Sequence, residues 1–434
     1  MTRTAIQVDH IARVEGHGNV HVVIEDGAVK TVEMNVVEPA RLFESMVRSR
    51  RFDEVSYVSS RICGICSSSH VVTSLEAIER IFGVEASDRT RALRELLVYG
   101  SYLQNHATHL FVFAAPDFLG MPSVFPLSEV NPQLYDQALS LKALGNELCT
   151  AIGGRSVHPI TAVVGGFTHE ITPDEYRVLA DKLDAARAFA LEAVDLFRGF
   201  KVPAIELSGD LLAMVEEGRY PVYGARTARF VDAGEGFDAD AVEDAIEEYA
   251  VAHSAALFAR ARRTQRPYFT GALARINASW GNLSQDAKVA AAKAGLRPPE
   301  RNPFQNNVAQ AVELVDALER CAALCRRLAA PAAAGEFAGT SEPPARIDVR
   351  AGRAVGFSEA PRGALFHELE LDGEGRVAHA SILTPTAQNV ASLEADMRTL
   401  AEALVEAGAE QPDIQLEIEK LVRAYDPCLS CSVH

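Results

Sequence analysis

The chain has 434 residues, 48% hydrophobic and 23% charged, the balance of a globular protein with a large core and room for two or three ordinary domains. Lys and Arg total 42 against 59 Asp and Glu, a net charge of −17, which argues against nucleic acid or an anionic membrane face as the main partner. Residues 1–9 carry no apolar core or small-residue cleavage site of a secretory signal, no apolar run approaches the ~20 residues that span a bilayer, and seven cysteines are an odd count, spread unlike a disulfide framework.

In chain order, Asn19–Val37 predicts a hairpin, with Val20, Val22 and Ile24 alternating, Asp26-Gly27 as the turn and Val29–Val37 returning. Apolar residues at three-to-four spacing predict long helices over Asp88–Ala114, Asn131–Gly153, Pro173–Phe200, Ala239–Arg263 and Pro303–Ala330. The Ala-, Gly- and Pro-rich stretch Ala329–Pro344 reads as a loop. A second hairpin is predicted at Ala364–Leu383 around DGEG, and a last helix at Thr386–Ala407. No internal repeat is visible. The expected fold is α+β and mainly helical, a central long-helix bundle with small β-hairpin elements near the N- and C-terminal regions. It reads as one unit over 1–434: a β-containing region 1–60, a helical body 61–330 and a C-terminal region 331–434.

Chemistry concentrates in two Cys-x-x-Cys pairs near opposite ends. Cys63 and Cys66 lie in RICGICSSSH; Cys428 and Cys431 lie in DPCLSCSVH. Each pair places two sulfurs within reach of one metal, and each is followed within four residues by a histidine. Four thiolates form a soft ligand set suited to zinc, nickel or iron. Ribbon-type zinc sites usually close loops of roughly 15–20 residues, whereas these pairs are separated by most of the chain. A thioredoxin-like redox role needs only one pair. Ligand chemistry alone leaves a structural zinc site and a redox-active metal both open.

The flanking residues add a resemblance. RICGICSSSH and DPCLSCSVH together resemble the two signatures of nickel–iron hydrogenase large subunits. The likeness extends to RVEGH (Arg13–His17), LFE (Leu42–Glu44), QNHATH (Gln104–His109), APRG (Ala360–Gly363) and ILTPTAQN (Ile382–Asn389), and is weak between about residues 170 and 350. The related subunit of respiratory complex I lacks the four cysteines that are present here.

The resemblance implies Cys63 and Cys428 as terminal nickel ligands, and Cys66 and Cys431 as bridges between nickel and an iron carrying carbon monoxide and cyanide. Splitting hydrogen heterolytically needs a soft metal pair and a nearby base, a role a terminal thiolate can fill with help from a guanidinium. The guanidinium would be Arg362, which by itself reads as a surface arginine in a turn. Thr386 would donate to a cyanide, although it also reads as a helix N-cap. Asp426 matches an acidic residue beside the metals, where Asp-Pro alone reads as a turn. His70, one helical turn after Cys66, would reach that bridging sulfur. Glu15 matches a proton-relay carboxylate, where a lone loop Glu usually reads as a solvated charge. Glu44, His434 and the Ile382 carbonyl match the ligands of a buried magnesium ion, in some relatives assigned as iron. His434 would be the end left by proteolytic maturation, or the end of a gene with no extension. Asn105 stands where many respiratory members carry Asp. Cys149, Cys321 and Cys325 read as buried helix positions, and His10, His21, His158, His169, His253, His367 and His379 show no ligand spacing.

Hydrogen oxidation releases two electrons. After the four metal ligands only three cysteines remain, one short of the usual set for an iron–sulfur cluster, and no G-x-G-x-x-G loop is visible. The expected partners are therefore an iron–sulfur small subunit and further electron-transfer subunits. The length and the ICSSSH and SCSVH variants resemble cytoplasmic multi-subunit hydrogenases, which pass electrons to NAD(P) through a flavin, to a deazaflavin, to sulfur or to a heterodisulfide reductase. A cytoplasmic location is expected. Two other functions fit the same residues: a regulatory hydrogen sensor, and a metal-stabilised structural subunit of a redox complex.

Overall fold

The computed structural model describes residues 3–330, 337 and 340–433. His434 and most of the Ala-rich stretch after Ala330 lie outside the described residues. The fold is mainly helical, with small sheets, and its centre is built by four long helices: Asp88–Ala107, Pro132–Gly153, Pro173–Arg198 and Asn306–Leu328. Each packs against two of the others to close a bundle. Their starts follow local chemistry. Ser87 accepts from the Thr90 amide, Asn131 caps Leu134, and Thr172 with Glu175 forms a capping box ahead of Pro173, each satisfying amides that have no partner inside the helix.

Both expected hairpins form, and each gains a third strand. Gly18–Glu25 and Ala28–Val36 pair antiparallel, and Arg3–Val8 adds to the outer side of the first. Gly363–Leu371 and Val377–Leu383 pair around the DGEG turn, and Gly352–Ala360 completes that sheet. The helix Ser67–Phe82 lies across this C-terminal sheet, so the segment that follows the first cysteine pair is buried along almost its whole length.

Three expectations are corrected. Ala239–Arg263 is not a helix: short helical turns end at Ala245, then Ile246–Tyr249 pairs antiparallel with Phe258–Ala261. Helix propensity among these residues differs by less than about 1 kcal/mol each. The hairpin instead buries Ile246, Phe258, Ala259 and Ala261 and packs on the helix Pro385–Glu406. Second, β-structure is not confined to the two ends. Asp210–Val215, Thr227–Phe230, Glu235–Asp238 and Tyr268–Thr270 form a four-stranded sheet, Tyr268–Thr270 running parallel to Asp210–Val215. Third, the helix begun at Asp88 is α-helical only to Ala107 and continues as a π-helical segment, Thr108–Ala114.

The contact between helix and C-terminal sheet depends on Gly356. A Cβ there would lie 1.9 Å from the Thr73 carbonyl oxygen, and backbone on both sides prevents relief. Gly356→Ala should therefore destabilise by about 3 kcal/mol and lower the melting temperature by several degrees. Gly373→Ala, where an added Cβ meets nothing within 4 Å, is the matched control. Equal melting temperatures for the two variants would contradict this packing.

Candidate metal centre

The two chain ends meet at the four cysteines. Cys63 follows the 3₁₀ turn Ser60–Ile62 in extended backbone, and Cys66 sits at the N-terminus of the Ser67–Phe82 helix with its amide 3.4 Å from the Cys63 sulfur. The second pair enters at the start of the 3₁₀ turn Leu429–Val433. Cys428 lies opposite Glu15 in a parallel bridge, with the Leu429 amide donating to the Glu15 carbonyl at 2.9 Å. This close passage explains the glycine of RVEGH: Gly16 has φ +85°, and a Cβ on it would lie 2.7 Å from the Ser430 nitrogen.

The sulfurs converge. Cys63 and Cys428 lie 3.5 Å apart, and Cys66 and Cys431 lie 4.0 Å apart. Cys63, Cys66 and Cys431 offer ligand atoms all within 4.8 Å of one another, as do Glu15, Cys428 and Cys431. Cys428 and Cys431 are joined through their sulfurs; as metal ligands both would stand as thiolates. All four cysteines are buried. The bond from Cys66, aided by the Arg362 charge, draws Cys63 below the usual thiol range. Donating that bond, together with burial, pushes Cys66 well above it.

Glu15 is half-buried. Its Oε2 lies 3.0 Å from the Cys428 sulfur and accepts from the Ser430 amide at 3.3 Å, while Oε1 accepts from the Ser430 hydroxyl at 2.5 Å. It is thus a held carboxylate rather than a solvated one. Arg362 is buried, not a surface turn residue. Its Nε donates to the Asp426 carbonyl and to Oδ1, at 2.8 and 3.0 Å, while Nη1 is buried with no hydrogen-bond partner among the described residues. Burial alone would weaken the Arg362 charge, but Asp426, Cys63, Cys66 and Glu15 hold its pKa above the ordinary value. Asp426 has φ +49°, and its Oδ2 accepts from Asn105 at 2.8 Å and Gln310 at 3.0 Å. Burial would raise this carboxyl; Arg362, His109 and the two amides outweigh it and keep it below the usual range. Asn105 therefore serves the carboxylate as a donor, which an Asp at that position would do only if protonated.

The remaining expected residues fall around this point. Thr386 is not the helix cap. Thr384 occupies the N-cap position of Pro385–Glu406, while Thr386 Oγ1 accepts from the Cys428 amide at 2.9 Å. Thr384 donates to the Cys431 carbonyl at 3.1 Å. His70 Nδ1 pairs with His367 Nε2 at 2.9 Å, and His367 Nδ1 meets Ser74 Oγ at 2.8 Å. His367 had no recognisable spacing, since its partner lies on another element. Glu44 Oε1 accepts from the Ile382 amide at 2.8 Å, and the Arg41 amide donates to the Val433 carbonyl at 2.8 Å, bringing the last described residue toward the helical turn that carries Glu44. Arg41 also donates through Nη2 to the Ile62 and Ser430 carbonyls, tying the two cysteine segments together. Cys149, Cys321 and Cys325 are buried in helices and, among the described residues, join neither group of converging ligand atoms.

The profile of the nickel-dependent hydrogenase family matches residues 41–133 and 266–434. The chain is 35% identical to the sulfhydrogenase 1 subunit alpha of Pyrococcus furiosus, over 99% of this chain and 97% of the relative. It is 28% identical to the NAD-reducing hydrogenase HoxS subunit beta of Cupriavidus necator, over 98% and 94%. Its fold matches a solved NAD+-reducing NiFe hydrogenase in the H2-reduced state with a TM-score of 0.85, at 26% identity and over 100% of both chains. The chain belongs to the nickel-dependent hydrogenase family and is a catalytic, large-subunit oxidoreductase of that family. No helix among the described residues is long and apolar enough to cross a membrane.

The residues present fit the nickel–iron centre that this family implies. Four buried sulfurs are the soft donors that such metals take, and Nη1 of Arg362, without a partner among the described residues, is a buried cationic donor suited to an anionic ligand. Elemental analysis of the anaerobically purified protein should therefore give one nickel and one iron per chain. Cys431→Ser, which exchanges a soft thiolate for a hydroxyl, should lose the iron and all hydrogen-dependent dye reduction. Full dye reduction by that variant would contradict the ligand set.

Proposed function

We propose that this chain activates hydrogen, splitting it reversibly and heterolytically into protons and into electrons that leave through an iron–sulfur small subunit. The observation that carries this reading is the convergence of four sulfurs from opposite ends of the chain beside one held carboxylate and one buried guanidinium. Bound there, a nickel–iron centre with carbon monoxide and cyanide on its iron would supply the soft, electron-rich site that heterolytic cleavage needs. Cys63 and Cys428 would hold nickel alone, and Cys66 and Cys431 would be shared with iron.

The protein's own residues would move the proton. The Cys428 sulfur receives it, and Glu15 Oε2 stands within one hydrogen bond to take it on. Ser430 holds both Glu15 oxygens, so the carboxylate need not reorganise. Arg362 supports the thiolates with its charge and presents Nη1, while Asp426 keeps it oriented. Thr386 fixes the Cys428 amide and would offer its hydroxyl proton to a cyanide. His70 would tune the bridging sulfur, with its ring held by His367. Glu44, the Ile382 carbonyl and His434 would hold the second ion, magnesium or iron.

Electrons would leave on the side of the first cysteine pair. Arg61 and Gly64 are exposed on either side of buried Cys63, so a cluster seated against this loop would lie close to the ligands. This face is proposed as the seat of the iron–sulfur subunit. Further electron-transfer subunits, of flavin and NAD(P), deazaflavin or heterodisulfide reductase type, and a cytoplasmic location belong to the same proposal.

Glu15→Gln keeps size and hydrogen-bonding capacity but cannot pass a proton in the same way. Metal content and the infrared bands of carbon monoxide and cyanide should survive, while hydrogen oxidation and hydrogen–deuterium exchange fall by roughly 10²–10⁴. Glu15→Asp should keep partial activity, since the titratable group remains. Wild-type exchange in Glu15→Gln would assign the proton to another route.

A further inference from the structure

The tip of the C-terminal hairpin that presents Arg362 raises a packing problem. Gly352–Ala360 and Gly363–Leu371 are joined by two residues, Pro361 and Arg362. A hairpin tip normally lies in water, which satisfies its carbonyls. This one is inside the protein, where an unmatched carbonyl is costly.

Arg275, on the helix Ala272–Ser279, satisfies it. The side chain is 1% exposed, and every N–H of its guanidinium is used. Nε and Nη2 grip the two oxygens of Glu313 at 2.6 and 2.7 Å, and Nη1 donates to Glu359 Oε2 at 3.0 Å. The remaining two donors go to backbone: Nη1 to the Ala360 carbonyl at 3.1 Å and Nη2 to the Pro361 carbonyl at 2.9 Å. These are the two residues directly before Arg362. Glu313 is itself fixed by Tyr220 at 2.6 Å and His106 at 2.9 Å, and the Tyr102 hydroxyl donates to the Glu359 carbonyl at 3.1 Å. On the far side of the turn Gly363 has φ +135°, and the Ala364 amide donates to Thr270 Oγ1 at 2.8 Å. The turn is therefore gripped from both ends.

We infer that Arg275, braced by Glu313, is a positioning residue for hydrogen activation, holding the Ala360 and Pro361 carbonyls so that the Arg362 guanidinium faces the four cysteines. The inference rests on the reading of Arg362 given above. Arg275 does not touch the sulfurs and acts only through the backbone of the turn. A planar fork with five fixed donors is needed for this; an ammonium group with three donors at one point cannot reach two carboxylates and two carbonyls together.

The test uses the purified hydrogenase complex in four forms: wild type, Arg275→Lys, Arg362→Lys and the double variant. Arg275→Lys keeps the charge opposite Glu313, so nickel and iron content should be unchanged while hydrogen-dependent dye reduction falls at least tenfold. The double variant should be no slower than Arg362→Lys alone, because both substitutions remove the same guanidinium placement. Losses that multiply in the double variant, or wild-type turnover by Arg275→Lys, would overturn the inference. Wild-type turnover by Arg362→Lys would instead overturn the reading of Arg362. Amide exchange measured by mass spectrometry then tests the Arg275 claim separately: the peptide covering 359–364 should exchange faster in Arg275→Lys with the rest unchanged, and unaltered protection there overturns it. If Arg275→Lys does not fold, Glu359→Gln loosens the same grip at constant shape. Its loss should be several-fold and absent in an Arg362→Lys background; a loss that persists there overturns the inference.

Discussion

Everything at this site depends on the chain's first residues meeting its last. Glu15 and Cys428 bridge through backbone, and that bridge puts two sulfurs from DPCLSCSVH against two from RICGICSSSH. Side chains then lock the junction. Arg41 reaches the carbonyls before Cys63 and before Cys431, Thr386 holds the Cys428 amide, and Thr384 holds the Cys431 carbonyl. Neither cysteine pair is a site alone. A metal centre on all four sulfurs would need the C-terminal segment closed over the N-terminal loop, which would couple forming it to completing the fold.

Around that junction the protein keeps charge in the core in matched form. Arg362 faces Asp426, and Asp426 is held by Asn105 and Gln310. Arg275 faces Glu313 and Glu359. Buried ions are tolerable only when each is opposed and hydrogen-bonded. Arg275 pulls Glu313 down to about 2 against its burial, so it stays ionised, whereas burial pushes Glu359 up to about 7. The sign follows directly: the stability that Glu313 contributes is present at neutral pH and lost as pH falls toward 2, through protonation of a carboxylate that Arg275 needs. The long-helix bundle carries both networks, since Asn105, His106, Gln310 and Glu313 all project from its helices or their ends.

Much of this was legible in the sequence because it is local. Helix periodicity marked the four bundle helices, DGEG marked the C-terminal turn, and two cysteine signatures marked the four cysteines that the fold brings together. What was illegible depends on partners remote in sequence. Ala239–Arg263 is helical by propensity, yet pairing of Ile246–Tyr249 with Phe258–Ala261 and packing on the Pro385–Glu406 helix override it. His367 has no local ligand spacing because its partners, His70 and Ser74, lie on another element. Arg275, Glu313 and Gln310 stand in unremarkable helical stretches, and only the fold brings them under the APRG turn or beside Asp426. Arg362 and Glu15 read locally as exposed charges; their burial and restraint come from segments that sequence alone leaves far apart.

Both cysteine pairs are proposed to build one binuclear site. Anomalous X-ray diffraction at the nickel and iron edges, on crystals of the anaerobically purified complex, tests it most directly. A shared site gives a nickel peak contacting Cys63, Cys66, Cys428 and Cys431, and an iron peak beside it contacting Cys66 and Cys431. A single zinc peak among the four sulfurs, or separate metals on the two pairs, would contradict it.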